Sequence, residues 1–324
     1  MFGTNTLLNM AALLFAGLLF SRLIKLLKLP NVTGFLVGGL IIGPSVLGLL
    51  SAQGVESLNL VSSVALGFIA FSIGSEFKIS YFRRVGFLPI VIAIFESLFA
   101  VVFVVAALVA SGQALPFSLV LGAIAAATAP AATIMVIKQY KARGPVTETL
   151  LSVVALDDAT ALIFFGIAVA IAQALESPQH ASLLASMAAP VLQIFEALGI
   201  GLVLGAVHTL LIRFLPARHN RLALTIAFVL TATAVADMLG LSALLTTMAM
   251  GAVFANFCRQ SAQVMEVTDR FTNPIYMMFF VLSGAGLNLS ILPSIGLVGI
   301  IYVVVRVLGK LAGAWFGAVL MRGP

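Results

Sequence analysis

Cysteine and histidine, the residues that most often bind metals or form covalent cross-links, are nearly absent from this chain. There is one cysteine, Cys258, and there are three histidines. A single cysteine can form neither a disulfide within the chain nor a cysteine metal cluster, so we interpret it as a small buried hydrophobe. No cofactor is expected.

Charged residues are also scarce. They make up 9% of the 324 residues, against 62% hydrophobic residues and a mean hydropathy of +1.20. A soluble core cannot cover so much apolar surface, so the chain is predicted to be an all-α protein that crosses the membrane many times. The basic pI of about 9.8 does not indicate nucleic acid as a partner, because the Lys and Arg residues lie in short segments between apolar runs, where they orient a membrane protein.

The apolar residues fall into eleven runs, most of them close to the roughly 20 residues that a helix needs to cross a bilayer. The segment before the first run lacks the basic residues of a cleaved signal peptide, so this run is expected to remain as a spanning helix. The ninth run is short enough to be tilted or partly re-entrant. In chain order the runs cover 5–27, 33–51, 57–77, 85–110, 115–138, 147–174, 186–213, 220–239, 242–257, 267–288 and 291–321.

Lys and Arg are distributed unevenly between the two ends of these runs. Fifteen of the 17 follow odd-numbered runs, and the segments after even-numbered runs contain none. Because basic loops stay on the cytoplasmic side, this asymmetry predicts that the N-terminus lies outside the cell. The remaining two, Arg306 and Lys310, lie inside the last run.

Two of the runs carry residues that are costly at membrane depth. Thr128, Ala129 and Pro130 interrupt the fifth run, and Asp157 and Asp158 are adjacent in the sixth. A proline frees backbone carbonyls, which only a buried or hydrated site tolerates, and an intramembrane carboxylate is usually functional. Each feature lies about 15 Å from an end of its run, at 1.5 Å per residue. Together they predict an ion site near the middle of the membrane, at the depth reached by the two bases of the last run.

Part of the chain repeats at a spacing of 210 residues. The segment 71–80 aligns without a gap on 281–290, with Gly74 on Gly284, and the same shift places runs one, three and four on runs eight, ten and eleven. Each run is paired with the run seven positions later, and because seven is odd, the two cross the membrane in opposite directions. The repeats are therefore inverted, as in many secondary transporters. The copies of runs five and six would lie beyond Pro324, so we expect the chain to lack two C-terminal helices.

Several short motifs resemble those of the monovalent cation:proton antiporters, in particular the second large family of that group. The first is P-x-x-T-G-F-L-x-G-G-L-x-x-G-P-x-x-L-G, from Pro30 to Gly48. The others follow in the family's order at 68–77, 125–130 (A-A-A-T-A-P), 156–158 (L-D-D), 279–284 (F-F-V-L-S-G) and 306–309 (R-V-L-G).

This resemblance implies an inverted-repeat fold of thirteen helices, of which about eleven would be present, with one discontinuous helix near 128–130. Helices 1–3 (residues 1–82) and 8–10 (residues 215–290) would form a panel that mediates dimerisation. A moving core would consist of helices 4–6 (residues 83–175), which carry the ion site, and helix 11 (residues 291–324). Helix 7 (residues 176–214) would link the two.

The resemblance also implies roles for individual residues. Asp158 would bind the cation and the protons that compete with it, and Asp157 would pair with a base of the last run. Thr128, with the backbone carbonyls at the break, would replace the water around the ion. Family position favours Arg306 as the partner of Asp157, whereas Lys310 lies one turn further along the same helix face.

Glu96 is a further acid at this depth, in the fourth run. It either faces the ion cavity or pairs with Arg306, and both interpretations are retained.

The predicted function is exchange of a monovalent cation, Na⁺ or K⁺, for protons by a homodimer in a bacterial plasma membrane, and not an enzymatic reaction. An intramembrane aspartyl protease needs its two acids on different helices, and a channel would show a repeated filter. The nearest alternative is a sodium-coupled solute symporter with similar inverted repeats.

Overall fold

The computed structural model describes residues 5–77, 79, 86–128, 130–176, 183–215 and 217–321. Within those residues the chain forms thirteen α-helices, a short 3-10 helix at Leu289–Ile291 and no strands. The helices are α1 (Thr6–Leu26), α2 (Asn31–Ile42), α3 (Ala52–Glu56), α4 (Asn59–Glu76), α5 (Leu88–Ala110), α6 (Leu115–Ile124), α7 (Pro130–Tyr140), α8 (Pro145–Glu176), α9 (Leu183–Ile212), α10 (Arg218–Met238), α11 (Ala243–Phe257), α12 (Ser261–Ala285) and α13 (Leu292–Leu320).

Hydropathy and length agree with the prediction of a multi-pass membrane protein. Each of the eleven apolar runs overlaps at least one helix. Within the described part of the chain, the helical segments that are long and apolar enough to cross a membrane are Thr6–Leu26, Ala52–Ser75, Leu88–Ala110, Leu192–Ile212, Arg218–Met238 and Gly296–Leu320. The all-α membrane fold is therefore confirmed, and the number of spans stays a prediction.

Local side-chain chemistry determines where several helices begin. The Asn5 side chain accepts hydrogen bonds from the backbone N–H groups of Leu7 (3.0 Å) and Leu8 (3.2 Å) at the start of α1. The Ser242 hydroxyl accepts from the N–H of Leu245 (3.3 Å) at the start of α11. These caps satisfy donors that have no partner within their own helix. Prolines occupy the first turns of α5, α6 and α13, where a missing N–H has little cost.

The helix interruption predicted in the fifth run is present. Helix α6 ends at Ile124, and α7 begins at Pro130, so the interruption starts at Ala125, three residues before the predicted Thr128, and Pro130 already belongs to the second half-helix. Of the residues between the two half-helices, Ala129 lies outside the described part of the chain. Since a helix end leaves backbone carbonyls without partners, the interruption exposes polar backbone beside α8 and α13.

Helices α5 and α13 pack closely along their length and run antiparallel. Three glycines of α13, one turn apart, face α5: Gly309 lies against Ala100, Gly313 against Phe95 and Gly317 against Ile92. A Cβ atom at Gly313 would overlap the carbonyl oxygen of Phe95. Small residues at this spacing let two helix backbones approach, and the approach brings polar side chains of the two helices into contact.

The inverted repeats are visible in a pair of helix crossings. At the crossing of α2 and α12, Gly39 lies against the carbonyl of Val281, and Gly284 lies against that of Leu36. At the crossing of α4 and α11, Gly74 lies against the carbonyl of Met248 and Gly251 against that of Phe71. In the repeat, α4 corresponds to α12 and α2 to α11, so one crossing is the counterpart of the other. Gly74 and Gly284 are the pair that the 210-residue shift aligns.

Helix α9 is attached to α10 and α11 by a buried histidine. His208 is fully buried, and its ring stacks on Phe254 of α11 (centroids 4.5 Å apart) and on Phe228 of α10 (5.0 Å). Its Nε2 atom lies 3.1 Å from the hydroxyl oxygen of Thr225. These contacts join the C-terminal half of α9 to both helices.

Candidate functional site: a buried cluster of acids and bases

The cluster is built around Asp157 of α8, whose side chain is fully buried. Thr128, at the end of the interruption between α6 and α7, donates a hydrogen bond from its hydroxyl to Asp157 Oδ2. Thr128 lies in the non-helical segment between α6 and α7. Its hydroxyl is therefore located where α8 passes the interruption. The structure therefore brings together the two features that the sequence predicted to lie at one depth.

Lys310 of α13 contacts both residues and a second acid. Its Nζ atom lies 2.8 Å from Glu96 Oε1, 2.7 Å from Thr128 Oγ1 and 3.2 Å from Asp157 Oδ2. An ammonium group has three N–H donors, and each has an oxygen partner here. Relative side-chain exposure is 13% for Lys310 and 15% for Glu96, so these ion pairs are mostly shielded from water.

Arg306 has a different position from the one that the sequence favoured. Its Nε donates to the carbonyl oxygen of Ala125 (3.1 Å), and its Nη2 donates to that of Ala127 (2.5 Å). The preference for Arg306 over Lys310 as the partner of Asp157 is therefore wrong. The physical reason is that α6 ends with unpaired carbonyls and a partial negative charge, which attract the guanidinium, while Lys310, one turn further, reaches the carboxylates.

Glu96 pairs with Lys310 and not with Arg306. Its carboxylate and that of Asp157 contact the same ammonium group. Two carboxyl groups therefore share one ammonium group at the cluster. Truncating the lysine would leave two buried acids without their cationic partner, which is strongly destabilising.

Two further residues of the cluster were not singled out from the sequence. The buried Ser97 hydroxyl of α5 lies 3.4 Å from Asp157 Oδ1 and 3.0 Å from the Thr160 hydroxyl. Thr160 also donates to the backbone carbonyl of Asp157 (3.0 Å). The only sequence feature that pointed to them was their position. Ser97 follows Glu96, and Thr160 follows Asp157 by three residues, which places it on the same helix face. Serine and threonine occur too often in membrane helices for this to identify them.

Asp158 follows Asp157 on α8, within the helix. Its side chain lies outside the described part of the structure, as does that of Pro130, the first residue of α7. The predicted contact between the Asp158 carboxylate and a cation therefore stays a prediction.

The far end of α7 makes polar contacts with three other helices. Lys138 Nζ lies 2.7 Å from Asp269 Oδ1 of α12 and 3.4 Å from the Ser72 hydroxyl of α4. The Gln139 side-chain oxygen accepts from the backbone N–H of Asn31, at the start of α2 (2.8 Å). The ion pair is more than a third exposed on both sides, at 36% and 38%. These bonds connect α7 to the helices that meet at the two glycine crossings.

The inverted repeats, the interrupted helix and the acid–base cluster beside it define a membrane protein of the antiporter fold class. The chain belongs to the sodium/hydrogen exchanger, transmembrane, family, whose model matches residues 10–323.

Individual relatives agree with that assignment. Cation/H(+) antiporter 19 of Arabidopsis thaliana is 24% identical over 327 residues, which cover 94% of this chain and 40% of the plant protein. The chain thus spans less than half the length of that relative. Two structures of the sodium proton antiporter MjNhaP1 from Methanocaldococcus jannaschii share the fold, with TM-scores of 0.76 and 0.77 and identities of 19% and 18%. Each alignment covers 97% of this chain and 78% of MjNhaP1.

Proposed function

We propose that the protein exchanges a monovalent cation, Na⁺ or K⁺, for protons by alternating access of the site at the helix interruption. The observation that carries this proposal is the buried Asp157 carboxylate, which meets the Thr128 hydroxyl at the interruption with Asp158 next to it in sequence. Carboxylate, hydroxyl and carbonyl oxygens are the ligands that hard cations prefer. A carboxylate also accepts a proton, so a cation and protons compete for one group.

The two acids have different roles in this proposal. Asp157 is held by Lys310, Thr128 and Ser97, and it maintains the shape and charge of the site. Asp158 is the next residue on α8, and consecutive helix positions lie about 100° apart around the axis. Asp158 therefore serves a different partner, which we assign as the transported cation or the protons that replace it. Thr128 and Asp157 contribute further oxygens to the ion.

Movement of one helix group against another would open the site to each side in turn. The proposed core comprises α5 to α8 with α13, and the proposed panel comprises α1 to α4 with α10 to α12, joined by α9. Support comes from the close packing of α13 on α5 and from the separate glycine crossings of α2 with α12 and of α4 with α11. Moving an empty site would carry uncompensated charge past apolar helices, which is costly. Occupation of the site would therefore be coupled to movement.

The proposed setting is a bacterial plasma membrane, with the N-terminus outside and two copies associated through the panel. The orientation rests on the positive-inside distribution of Lys and Arg.

Reconstitution into proteoliposomes tests the proposed exchange. In the full-length protein, a preformed pH gradient should collapse on addition of Na⁺ or K⁺ without any organic solute, as monitored by a pH-sensitive dye. Asp158→Asn removes the exchangeable charge and should abolish this response. Asp237→Asn, a matched change at an exposed position of α10, should retain it.

Two results would contradict the proposal. Normal exchange by Asp158→Asn would remove Asp158 from the role assigned to it. A requirement for an organic solute would favour the sodium-coupled symporter instead.

A further inference from the structure

A group of arginines surrounds cavities at the end of the bundle where α9 is followed by α10 and α11 by α12. One cavity, of about 500 Å³, is lined by Arg213, Phe257, Arg259 and Gln260. A second cleft is lined in part by Arg218 and Arg221. The charge distribution of the chain predicts that this end faces the cytoplasm.

The two groups of arginines lie near each other. Cys258 lies between Phe257 and Arg259, and burial raises the pKa of its thiol, while the positive charges of Arg221 and Arg213 act in the opposite direction. A hydrogen bond places them together as well, because Arg221 Nε donates to the carbonyl oxygen of Leu215 (2.6 Å), two residues after Arg213.

Among the described residues, no acid forms an ion pair with these arginines. The ion pairs in that part of the chain involve Lys138, Arg270 and Lys310. The residues lining the larger cavity include no acid. Like charges that converge without a counter-ion repel one another, so an anion bound between them would relieve the repulsion.

Exposed aromatic rings adjoin the basic cavity. Phe257 lines it and is 61% exposed, and Phe214, next to Arg213 in the chain, is 73% exposed. Guanidinium groups recognise phosphate through paired N–H donors, and apolar rings at the membrane boundary bury in the acyl region of lipids. Basic pockets between membrane helices on the cytoplasmic side bind anionic headgroups.

We propose that this cavity is a binding site for a phosphate group, supplied by the headgroup of an anionic phospholipid. Arg213 and Arg259 contact the phosphate oxygens, and Phe257 lies against the first carbons of the acyl chains. Arg221 adds positive charge from the adjoining cleft. The proposal is independent of cation exchange, because none of these residues belongs to the cluster around Asp157.

The test measures binding of fluorescently labelled phosphatidylglycerol to the full-length protein in maltoside micelles by fluorescence polarisation. In Arg213→Gln/Arg259→Gln the affinity should fall roughly thirtyfold, since each base near a membrane surface contributes about 1 kcal/mol and tenfold corresponds to about 1.4 kcal/mol. Arg22→Gln/Lys25→Gln removes the same charge at the end of α1 from two residues that do not line the cavity, and should change the affinity less than about threefold. Equal losses in both double variants would overturn the site.

Two further arms identify the source of the phosphate and guard against misfolding. If millimolar inorganic phosphate displaces the labelled lipid, the site recognises a soluble phosphate, and the lipid assignment is overturned. Displacement by unlabelled phosphatidylglycerol but not by inorganic phosphate supports it. Arg213→Lys/Arg259→Lys keeps the charge but loses the paired donors, so its affinity should fall severalfold. Unchanged affinity in this variant would contradict recognition by paired donors, even if the glutamine variant failed to fold.

Discussion

At the residue scale, the structure separates two basic side chains that are one helical turn apart. Lys310 uses its three N–H donors on Glu96, Thr128 and Asp157. Arg306 instead donates to backbone carbonyls at the end of α6. The planar guanidinium group can donate to two carbonyl oxygens of one chain segment at the same time. The compact ammonium group can donate to three side chains that meet at one point. The two bases are therefore not interchangeable.

Removing the lysine charge should destabilise the protein strongly. Lys310→Met leaves the Glu96 and Asp157 carboxylates buried without their shared cation, and loss of one partner of a buried ion pair costs about 3–5 kcal/mol. Lys138→Met is the matched control, because Lys138 also forms an ion pair but is 36% exposed, and such pairs contribute about 0–1 kcal/mol. Thermal unfolding in detergent should therefore show a much larger fall in Tm for Lys310→Met.

A double variant distinguishes lost charge compensation from lost packing. Glu96→Gln removes one of the two carboxylates, so Glu96→Gln/Lys310→Met should be more stable than Lys310→Met alone. If both lysine variants lowered Tm equally, or if the second change gave no recovery, the cluster would not be held together by its charges.

At the scale of elements, the contact of α5 with α13 positions the cluster. Gly309, Gly313 and Gly317 let the two backbones approach. This approach allows Lys310 to reach Glu96 at 2.8 Å. The axial position and the rotation of α13 relative to α5 are thus determined by glycines, which have no functional side chain.

A single methyl group at this contact should be harmful. In Gly313→Ala the new Cβ would overlap the Phe95 carbonyl, and overpacking of this kind costs about 1–3 kcal/mol. It should also separate Lys310 from Glu96 and slow exchange. Gly199→Ala on α9 is the control, since no atom lies within 4 Å of its added Cβ and alanine is the better helix former.

The comparison uses Tm and the rate of pH-gradient collapse. Gly199→Ala should leave both unchanged or raise Tm slightly. Equal behaviour of the two alanine variants would show that the α5–α13 contact does not position the site.

At the scale of the whole molecule, the proposed core and panel are in contact at the far end of α7. The ion pair between Lys138 and Asp269 joins them at 2.7 Å, and the bond from Asn31 to Gln139 lies beside it. Because both partners of the ion pair are partly exposed, the contact is weak enough to break and re-form. The proposed alternating access would require it to break in one orientation.

Fixing this contact should stop exchange. In a Cys258→Ser background, Lys138→Cys/Asp269→Cys treated with a short, reducible thiol cross-linker should lose exchange in proteoliposomes and recover it after reduction. Glu266→Cys/Arg270→Cys gives a cross-link within α12, at another ion pair, and should have little effect. Continued exchange by the fully cross-linked Lys138/Asp269 pair would contradict movement between these two groups.

Sequence reasoning succeeded where the signal was local. Apolar runs predicted the helices, and Thr128 to Pro130 predicted the interruption, because hydropathy and proline act on neighbouring residues. The choice between Arg306 and Lys310 depended on the position of α13 along the axis of α5. Backbone contacts between residues far apart in the sequence determine this position. The participation of Ser97 also depended on that packing. The repeat was detectable because glycines at equivalent positions allow a close helix–helix contact in each of the two halves.

The paired glycine crossings have a consequence for the energetics of the proposed transport cycle. Gly74 and Gly284 lie at equivalent places in two halves of opposite orientation. A core that moves against a panel built from two such halves meets the same arrangement of helices whichever compartment it opens toward. Neither orientation is then strongly favoured by packing alone, so small differences in ion concentration can decide the direction of net flow.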